Sequence, residues 1–385
     1  MFKRAVIAGA LAQRPGYAGH SWQFVEYVLG LKRLGWEVVF VDWLKDDMCV
    51  DDRGRPRSLE DSYNLRYFRR VMSRFGLENN YSLICGDGNV LIGRSRPELL
   101  AHTRNSAFLL NVMGYLTDES ILAAAPLRVF LDTDPGIGQI WRELGLHDLF
   151  AGHDRHVTIG ENIGRPTCEI PGCGIDWIVM RQPVVLEQWP VIENHNDTFS
   201  SIVSWRGPFG PLEYRGKTYG LRVHEFRKFL ELPSMTGAQF ELALDIDPAE
   251  HKDLETLKAN KWRLVNPSQV AADVDVYRRY IQQSQAEFMV AKNIYVETKG
   301  GWFSDRSTCY LASGKPVIAQ DTGLSSIYPT GAGLLTFTNA SEAATAIGEV
   351  NQDYRRHSRA AREIAEAYFD SDKVFTRLLS SLGVA

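Results

Sequence analysis

Short, mostly apolar runs alternate with helical segments along almost the whole chain. Strands are predicted at 4–11 and 36–43, and between them residues 20–35 cluster apolar side chains on one side of a helix. Further strands are predicted at 81–86, 107–113, 127–134 and 155–160, and helices at 58–75, 118–125 and 138–144. Apolar strands separated by helices predict a parallel sheet that is covered on both faces.

The alternation pauses in a polar segment with two prolines and then starts again. Strands are predicted at 199–205, 239–246, 262–266, 287–292, 293–298, 315–320 and 333–338, with a helix at 221–232 and helical sequence from Ser341 onward. The chain has 385 residues, more than the roughly 250–300 that one core usually supports. We therefore expect two Rossmann-like α/β domains, at 1–185 and 199–365, joined by a linker at 186–198 and followed by a terminal segment at 366–385.

The amino-acid composition limits the kinds of molecule and environment that we expect for this protein. A formal net charge of -4 argues against a general attraction to nucleic acid or anionic membranes. No apolar run approaches the roughly 20 residues of a membrane span. The five cysteines are scattered, which favours a reducing, cytoplasmic setting.

Residues 300–307, GGWFSDRS, have the composition of a phosphate-binding turn. Glycines such as Gly301 allow a ligand to approach the backbone closely, and the start of the following helix favours an anion. Ser304 and Ser307 can donate hydroxyl hydrogen bonds, and Arg306 can bind phosphate oxygens with two donors. The alternative is an ordinary helix that Ser304 caps.

This segment, followed by TCYLAS and GKPVIAQDTG, resembles the donor-site motif of GT-B glycosyltransferases. The resemblance covers roughly the last hundred residues, and the two-domain layout extends it to the whole chain. It implies that 1–185 binds the acceptor, that 199–365 binds a nucleotide-diphosphate sugar, and that 366–385 packs back on the first domain. Many retaining members carry two glutamates here, at places that hold Gly301 and Cys309 in this chain. Asp305 lies inside the turn, and the stereochemical outcome stays open.

The resemblance also marks candidate residues outside this turn. The glycine-rich loop 206–220 would supply a cation to the donor diphosphate, with Arg206 favoured over Lys217 because it lies nearer to the strand end. His20, at the start of the first helix, is a candidate base for the acceptor hydroxyl. Asp134, in a turn that follows a strand, is an alternative base or sugar contact. GT-B enzymes generally need no bound metal, so we expect no cofactor beyond the nucleotide-sugar co-substrate.

The arginine-rich stretch 53–75 has two interpretations. It is either the solvated face of a helix, which we favour, or a basic patch for an anionic acceptor such as DNA.

The sequence therefore predicts a cytoplasmic glycosyltransferase that moves a sugar from a nucleotide-diphosphate sugar to a hydroxyl of a small molecule or glycan. Three alternatives stay open. They are a transferase acting on modified DNA bases, a GT-B sugar-nucleotide epimerase, and a non-catalytic sugar-nucleotide-binding protein.

Overall fold

The computed structural model describes residues 3–88, 90–193, 195–207 and 210–384. Pro208 and Phe209 of the predicted glycine-rich loop, and Asn194 of the predicted linker, lie outside these ranges. Within them, none of the helices combines the length and the apolar character that crossing a membrane requires.

The first sheet has eight strands in the order β4-β3-β2-β1-β5-β6-β7-β8. All neighbouring strands are parallel except β3 and β4. We call the part built on this sheet the N-terminal lobe. Its elements are β1 (Arg4–Gly9), α1 (Ala18–Arg33), β2 (Glu37–Leu44), α2 (Tyr63–Arg74), β3 (Tyr81–Cys85), β4 (Val90–Gly93), α3 (Arg96–Arg104), β5 (Phe108–Val112), α4 (Glu119–Ala124), β6 (Arg128–Asp132), α5 (Ile137–Glu143), β7 (Arg155–Thr158) and β8 (Trp177–Val179).

The second large sheet has six parallel strands in the order β13-β12-β9-β14-β15-β16. We call the part built on it the C-terminal lobe, and a separate hairpin pairs β10 with β11. Its elements are β9 (Thr198–Ser204), β10 (Leu212–Tyr214), β11 (Lys217–Tyr219), α6 (Arg222–Phe226), α7 (Leu232–Thr236), β12 (Gln239–Asp245), α8 (His251–Ala259), β13 (Arg263–Val265), α9 (Pro267–Val270), α10 (Val274–Gln283), β14 (Ala286–Met289), α11 (Asn293–Thr298), α12 (Asp305–Ala312), β15 (Val317–Gln320), β16 (Leu334–Phe337), α13 (Ala340–Gln352), α14 (Tyr354–Ile364) and α15 (Ser371–Leu382).

Burial on both faces of the first sheet explains why its strands read as apolar runs. In β1, Ala5 and Ile7 belong to one core cluster, whereas Val6 and Ala8 belong to another. Successive side chains of a strand point to opposite faces, so a strand covered on both sides needs apolar residues at every position. The predicted α/β class with parallel sheets is confirmed.

Three local predictions were wrong. Residues 293–298, predicted as a strand, form helix α11, because the strand position is already filled by β14. A short apolar run cannot separate a strand from a buried helical turn. The loop 206–220 contains the hairpin β10–β11, and the helix expected at 58–75 begins only at Tyr63, after Ser62 caps it by accepting a hydrogen bond from the Leu65 backbone.

Helix α15 packs on α1, at the other end of the sequence. The ring of Phe375 lies 6.4 Å from that of Tyr27, and a Cβ added to Gly30 would come within 2.5 Å of the Phe375 ring. Arg33 also forms an ion pair with Asp372 at 2.9 Å. The last helix is thus packed on the N-terminal lobe, with the buried Phe375 ring against α1.

Phe375→Ala should lower the free energy of unfolding by about 3–5 kcal/mol, since it removes a fully buried ring and leaves a cavity against Gly30. Chemical denaturation followed by far-ultraviolet circular dichroism measures the change. Ser380→Ala, at an exposed position of the same helix, is the matched control. Equal stability of both variants would contradict this packing.

Candidate active site

The carboxyl ends of both sheets meet along a seam between the lobes. Loops that follow β6 and β7 contact loops that follow β14 and β15, through the side chains of Asp134 and Asn162. The backbone N–H of Ala18 donates to the Ala271 carbonyl at 2.8 Å, and the Trp22 indole donates to the Val274 carbonyl at 2.9 Å. Ligands of open α/β sheets bind beyond the carboxyl ends of strands, so this seam is the candidate site.

Asp134 lies at the centre of the seam. Its carboxylate accepts hydrogen bonds from the Lys292 ammonium at 2.8 and 3.1 Å and from the Tyr295 hydroxyl. Lys292 follows β14, and Tyr295 lies in α11, so both partners belong to the C-terminal lobe. The aspartate therefore joins the two lobes through a charged pair that is only partly exposed.

Arg222 opens α6 beside this pair, and its Nε is buried without a hydrogen-bond partner. No ion pair to its guanidinium is found in the described part of the chain. Burial, and then the charge of Arg306, lower the pKa of Arg222 to about 10, while Asp134 and Glu287 oppose that shift. A buried guanidinium nitrogen without a hydrogen-bond partner is costly, and an anionic ligand would offset the cost.

The Arg306 side chain forms hydrogen bonds inside the C-terminal lobe. Its Nε donates to Glu287 Oε1 at 2.6 Å, and its Nη1 donates to the Ile202 carbonyl at 2.8 Å. Glu287 is fully buried. This geometry favours a structural role for Arg306, in place of the phosphate contact that the sequence predicts.

The start of α12 carries its own negative charge. Ser304 is the N-cap and accepts from the Arg306 backbone N–H at 3.3 Å, which is the alternative that the sequence left open. Asp305 occupies the first turn, where the helix dipole favours an anion. The Ser307 hydroxyl is fully buried and has no hydrogen-bond partner among the described residues.

The space in front of this helix start is acidic. Glu26 of α1 and Asp305 line the same small cavity between the lobes. Burial, despite hydrogen bonds from Trp189 and Val185, raises the pKa of Glu26 to about 8, and burial also raises the pKa of Asp305. Surroundings that raise the pKa of both carboxyl groups disfavour negative charge, and they therefore also disfavour a phosphate at this point.

Gly301 lies against the N-terminal lobe in a left-handed conformation, with φ +75°. Its added Cβ would lie 2.7 Å from Ile327 and 3.2 Å from Asn162. Asn162 holds this turn, because its side-chain amide donates to the carbonyls of Lys299 and Gly323, each at 3.1 Å. The turn is therefore fixed by interlobe contacts.

The two basic candidates of loop 206–220 lie apart. Arg206 is exposed and paired with Glu250, within its own lobe. Lys217, in the hairpin, bridges Glu169 of the N-terminal lobe and Glu297 of α11, at 3.1 Å each. Only Lys217 reaches the seam, and there it faces two carboxylates.

His20 lies on the N-terminal side of the seam, in the first turns of α1. Its Nε2 donates to the Ala10 carbonyl at 3.2 Å, since a carbonyl can only accept, and this leaves Nδ1 free to accept a proton. Its ring packs edge-on against Phe24 at 4.9 Å and lies 6.4 Å from the Tyr115 ring. Burial, and then the charge of Arg14, lower the pKa of His20 to about 4.

Comparison with solved structures places this arrangement among known folds. An alpha-glucosyltransferase in complex with UDP and a 13-mer DNA matches with 11% identity and a TM-score of 0.58, covering 99% of each chain. Anabaena HepE in complex with UDP matches with 9% identity and a TM-score of 0.57, covering 100% of each chain. A glycosyltransferase from Rickettsia africae ESF-5 matches with 11% identity and a TM-score of 0.55, covering 99% of this chain and 98% of that one.

The chain has the GT-B fold. No family model matches the sequence, and no curated protein is significantly similar to it in sequence. The predicted fold class is confirmed by structure alone.

Sequence reasoning missed the residues that contribute most to this GT-B seam. Lys292 directly follows the apolar run of β14, so the rule that ligands meet strand ends could have found it. Arg222 and Asn162 carry no comparable signal, because their positions depend on how the lobes meet. In the described ranges no three histidine, cysteine or acidic side chains gather as a metal site would require, and the metal-free expectation stays a prediction.

Four of the seven arginines in the arginine-rich stretch 53–75 form ion pairs among the described residues. Arg55 and Arg57 pair with Asp51, while Arg70 and Arg74 pair across the seam with Asp273 and Asp275. The choice between a solvated helix face, which we favoured, and a patch for an anionic acceptor stays a prediction.

His20 should remain neutral down to about pH 5, with a midpoint near its lowered pKa of about 4. Between this value and the ordinary 6.5, the unfolded chain binds more protons, so His20 should make stability fall as pH falls through that window. Nitrogen-15 NMR of the imidazole measures the titration, and His20→Asn assigns the signal. A midpoint near 6.5 would contradict the described burial.

Proposed function

We propose that this protein is a glycosyltransferase that uses a nucleotide-diphosphate sugar, with the donor diphosphate bound in the seam beside Arg222 and Lys292. The proposal rests on one observation above all, the buried Arg222 Nε, which has no hydrogen-bond partner in the part of the chain that the structure describes. The solved GT-B structures similar to this chain include complexes with UDP and with UDP-glucose, which supports a nucleotide donor.

Electrostatic interactions favour a diphosphate beside Arg222 and Lys292 over a diphosphate at the start of α12. Among the described residues Arg222 has no ion-pair partner, whereas Arg306 is neutralised by Glu287. Lys292 can leave Asp134 for a phosphate, because both side chains are partly exposed and lie at the seam. A diphosphate that gains charge as it leaves would be stabilised by two cations held in place before the reaction.

Movement of Lys292 from Asp134 to the diphosphate would also make Asp134 available to the acceptor. When Lys292 binds the diphosphate, the Asp134 carboxylate loses its main charged partner and can accept a proton from the acceptor hydroxyl. The bond between the anomeric carbon and the diphosphate oxygen breaks, and a bond to the acceptor oxygen forms. His20 would orient the acceptor through Nδ1, since a pKa of about 4 makes it a weak base.

Fewer observations bear on the class of the acceptor than on the class of the donor. A DNA acceptor, as in the complex of the similar alpha-glucosyltransferase, gains little support from the arginine-rich stretch, because two arginines of its helix, Arg70 and Arg74, pair with aspartates of the other lobe. A small hydroxyl compound or a glycan remains our proposal. The epimerase and the non-catalytic binding protein are separated from it by product analysis with and without acceptors.

Arg222→Gln should weaken nucleoside-diphosphate binding by about 10- to 100-fold, the effect of losing a hydrogen-bonded charge. It should leave the melting temperature of the unliganded protein unchanged or raised, because it removes a charge whose buried Nε has no hydrogen-bond partner among the described residues. Calorimetric titration follows a thermal-shift screen of UDP, GDP, dTDP and ADP that identifies the nucleotide.

Arg206→Gln is the matched control for this experiment, since the sequence alone assigned the phosphate to Arg206. We expect it to bind the nucleotide like the wild type. Weakening by Arg206→Gln and not by Arg222→Gln would refute the assignment, and no nucleotide binding to the folded wild type would refute the donor class.

Asp134→Asn should slow transfer by about 100-fold or more, the usual effect of losing a general base. Nucleotide affinity should be retained or improved, because Lys292 no longer has a charged competitor. Steady-state rates with the donor identified above, together with calorimetry, separate the two effects. An equal loss of transfer rate and nucleotide affinity would instead indicate that the substitution disrupts the structure of the seam.

A further inference from the structure

We propose a second anion-binding site, outside the donor site, between the end of β8 and helix α15. The ligand is a small organic molecule that carries an oxyanion, either a phosphate or a carboxylate. The proposal is independent of the proposed glycosyltransferase activity, because none of its residues contributes to the donor site.

The site is a cavity of about 140 Å³ at the edge of the first sheet. Its apolar wall consists of Val179, Met180 and Val374, and its charged wall of Glu161, Arg181 and Arg377. A cavity of this size holds about four water molecules by volume. It can therefore take an oxyanion together with a short apolar group.

Arg181 is held in position before any ligand arrives. Its Nε donates to Glu161 at 3.0 Å, and its guanidinium lies 5.3 Å from the ring of Tyr328 and 5.0 Å from that of Tyr368. Glu161 is fixed in turn by the Tyr328 hydroxyl. In the described structure these contacts occupy only Nε, so both terminal nitrogens can donate to an anion.

Arg377 supplies the second cation of this cavity. It is exposed on α15, and no ion pair or hydrogen bond engages it within the residues that the structure describes. Arg165 is a third guanidinium near enough to act on Glu161 electrostatically. Within the cavity one carboxylate thus accompanies two guanidinium groups, and the excess positive charge favours a bound anion.

The apolar wall indicates that the anion is part of a larger molecule. Val179 is 45% exposed, while Met180 and Val374 are buried beside the guanidinium groups. An inorganic ion would leave this wall in water, whereas an organic phosphate or carboxylate would cover it. We therefore expect a higher affinity for an organic oxyanion than for the bare ion.

Calorimetric titration with inorganic phosphate, phenyl phosphate and benzoate tests the site in three variants and the wild type. Arg377→Gln removes one cation of the cavity, and Arg359→Gln, at an exposed position of α14, is the matched surface control. Arg222→Gln removes the proposed donor cation, so it separates the two sites. Melting temperatures verify that each variant is folded.

We expect phenyl phosphate or benzoate to bind the wild type, Arg359→Gln and Arg222→Gln alike, and Arg377→Gln about tenfold or more weakly. Preference for phenyl phosphate over benzoate would identify a phosphate ligand, and the reverse a carboxylate. Equal affinity of Arg377→Gln and wild type would overturn the proposal. Loss of binding in Arg222→Gln alone would also overturn the proposal. The same holds if the wild type binds neither compound with a dissociation constant below about 10 mM.

Discussion

Two parallel sheets meet along their carboxyl edges, and this constraint determines which polar side chains are available to a ligand. Parallel strands need crossover helices, so the loops at one edge of each sheet carry the residues that no strand pairing engages. When two such edges meet, these residues pair with one another. Asp134 with Lys292, and Asn162 with the carbonyls of Lys299 and Gly323, are the result.

Pairing across the seam has a consequence for binding. A ligand has to compete with each internal pair. The free-energy cost of binding is lowest where a charged side chain has no partner that must first be separated from it. Arg222 meets that condition, whereas Arg306 does not, since separating it from the fully buried Glu287 would leave a carboxylate unpaired in the core. Two arginines of the same lobe thus differ in availability: Arg306 is paired inside the core, whereas the buried Arg222 Nε has no hydrogen-bond partner among the described residues.

Periodicity and composition were sufficient to predict the architecture. Strands buried on both faces have a simple sequence signature, and β1, β5, β6 and β14 were placed correctly for that reason. The antiparallel β4 and the hairpin β10–β11 were missed, because short edge strands and hairpins lack long apolar runs. Helix α11 was predicted as a strand, since Ile294, Tyr295 and Val296 suit either structure and only the filled sheet position decides.

The site was less predictable, and the glycine-rich turn shows why. A serine, an arginine and a helix start suggest a phosphate site from sequence alone, yet each has a second role; the cap was the open alternative for Ser304, whereas the partner of Arg306 appears only in the fold. Ser304 caps the helix, Arg306 neutralises Glu287, and Asp305 supplies the anion that the helix dipole favours. With Glu26 opposite, and both carboxyl pKa values raised by burial, a phosphate at this point would add charge to a site that already resists it. The diphosphate should therefore lie towards Arg222 and Lys292, and the acidic cavity is better suited to hydrogen bonding a neutral group such as a sugar hydroxyl.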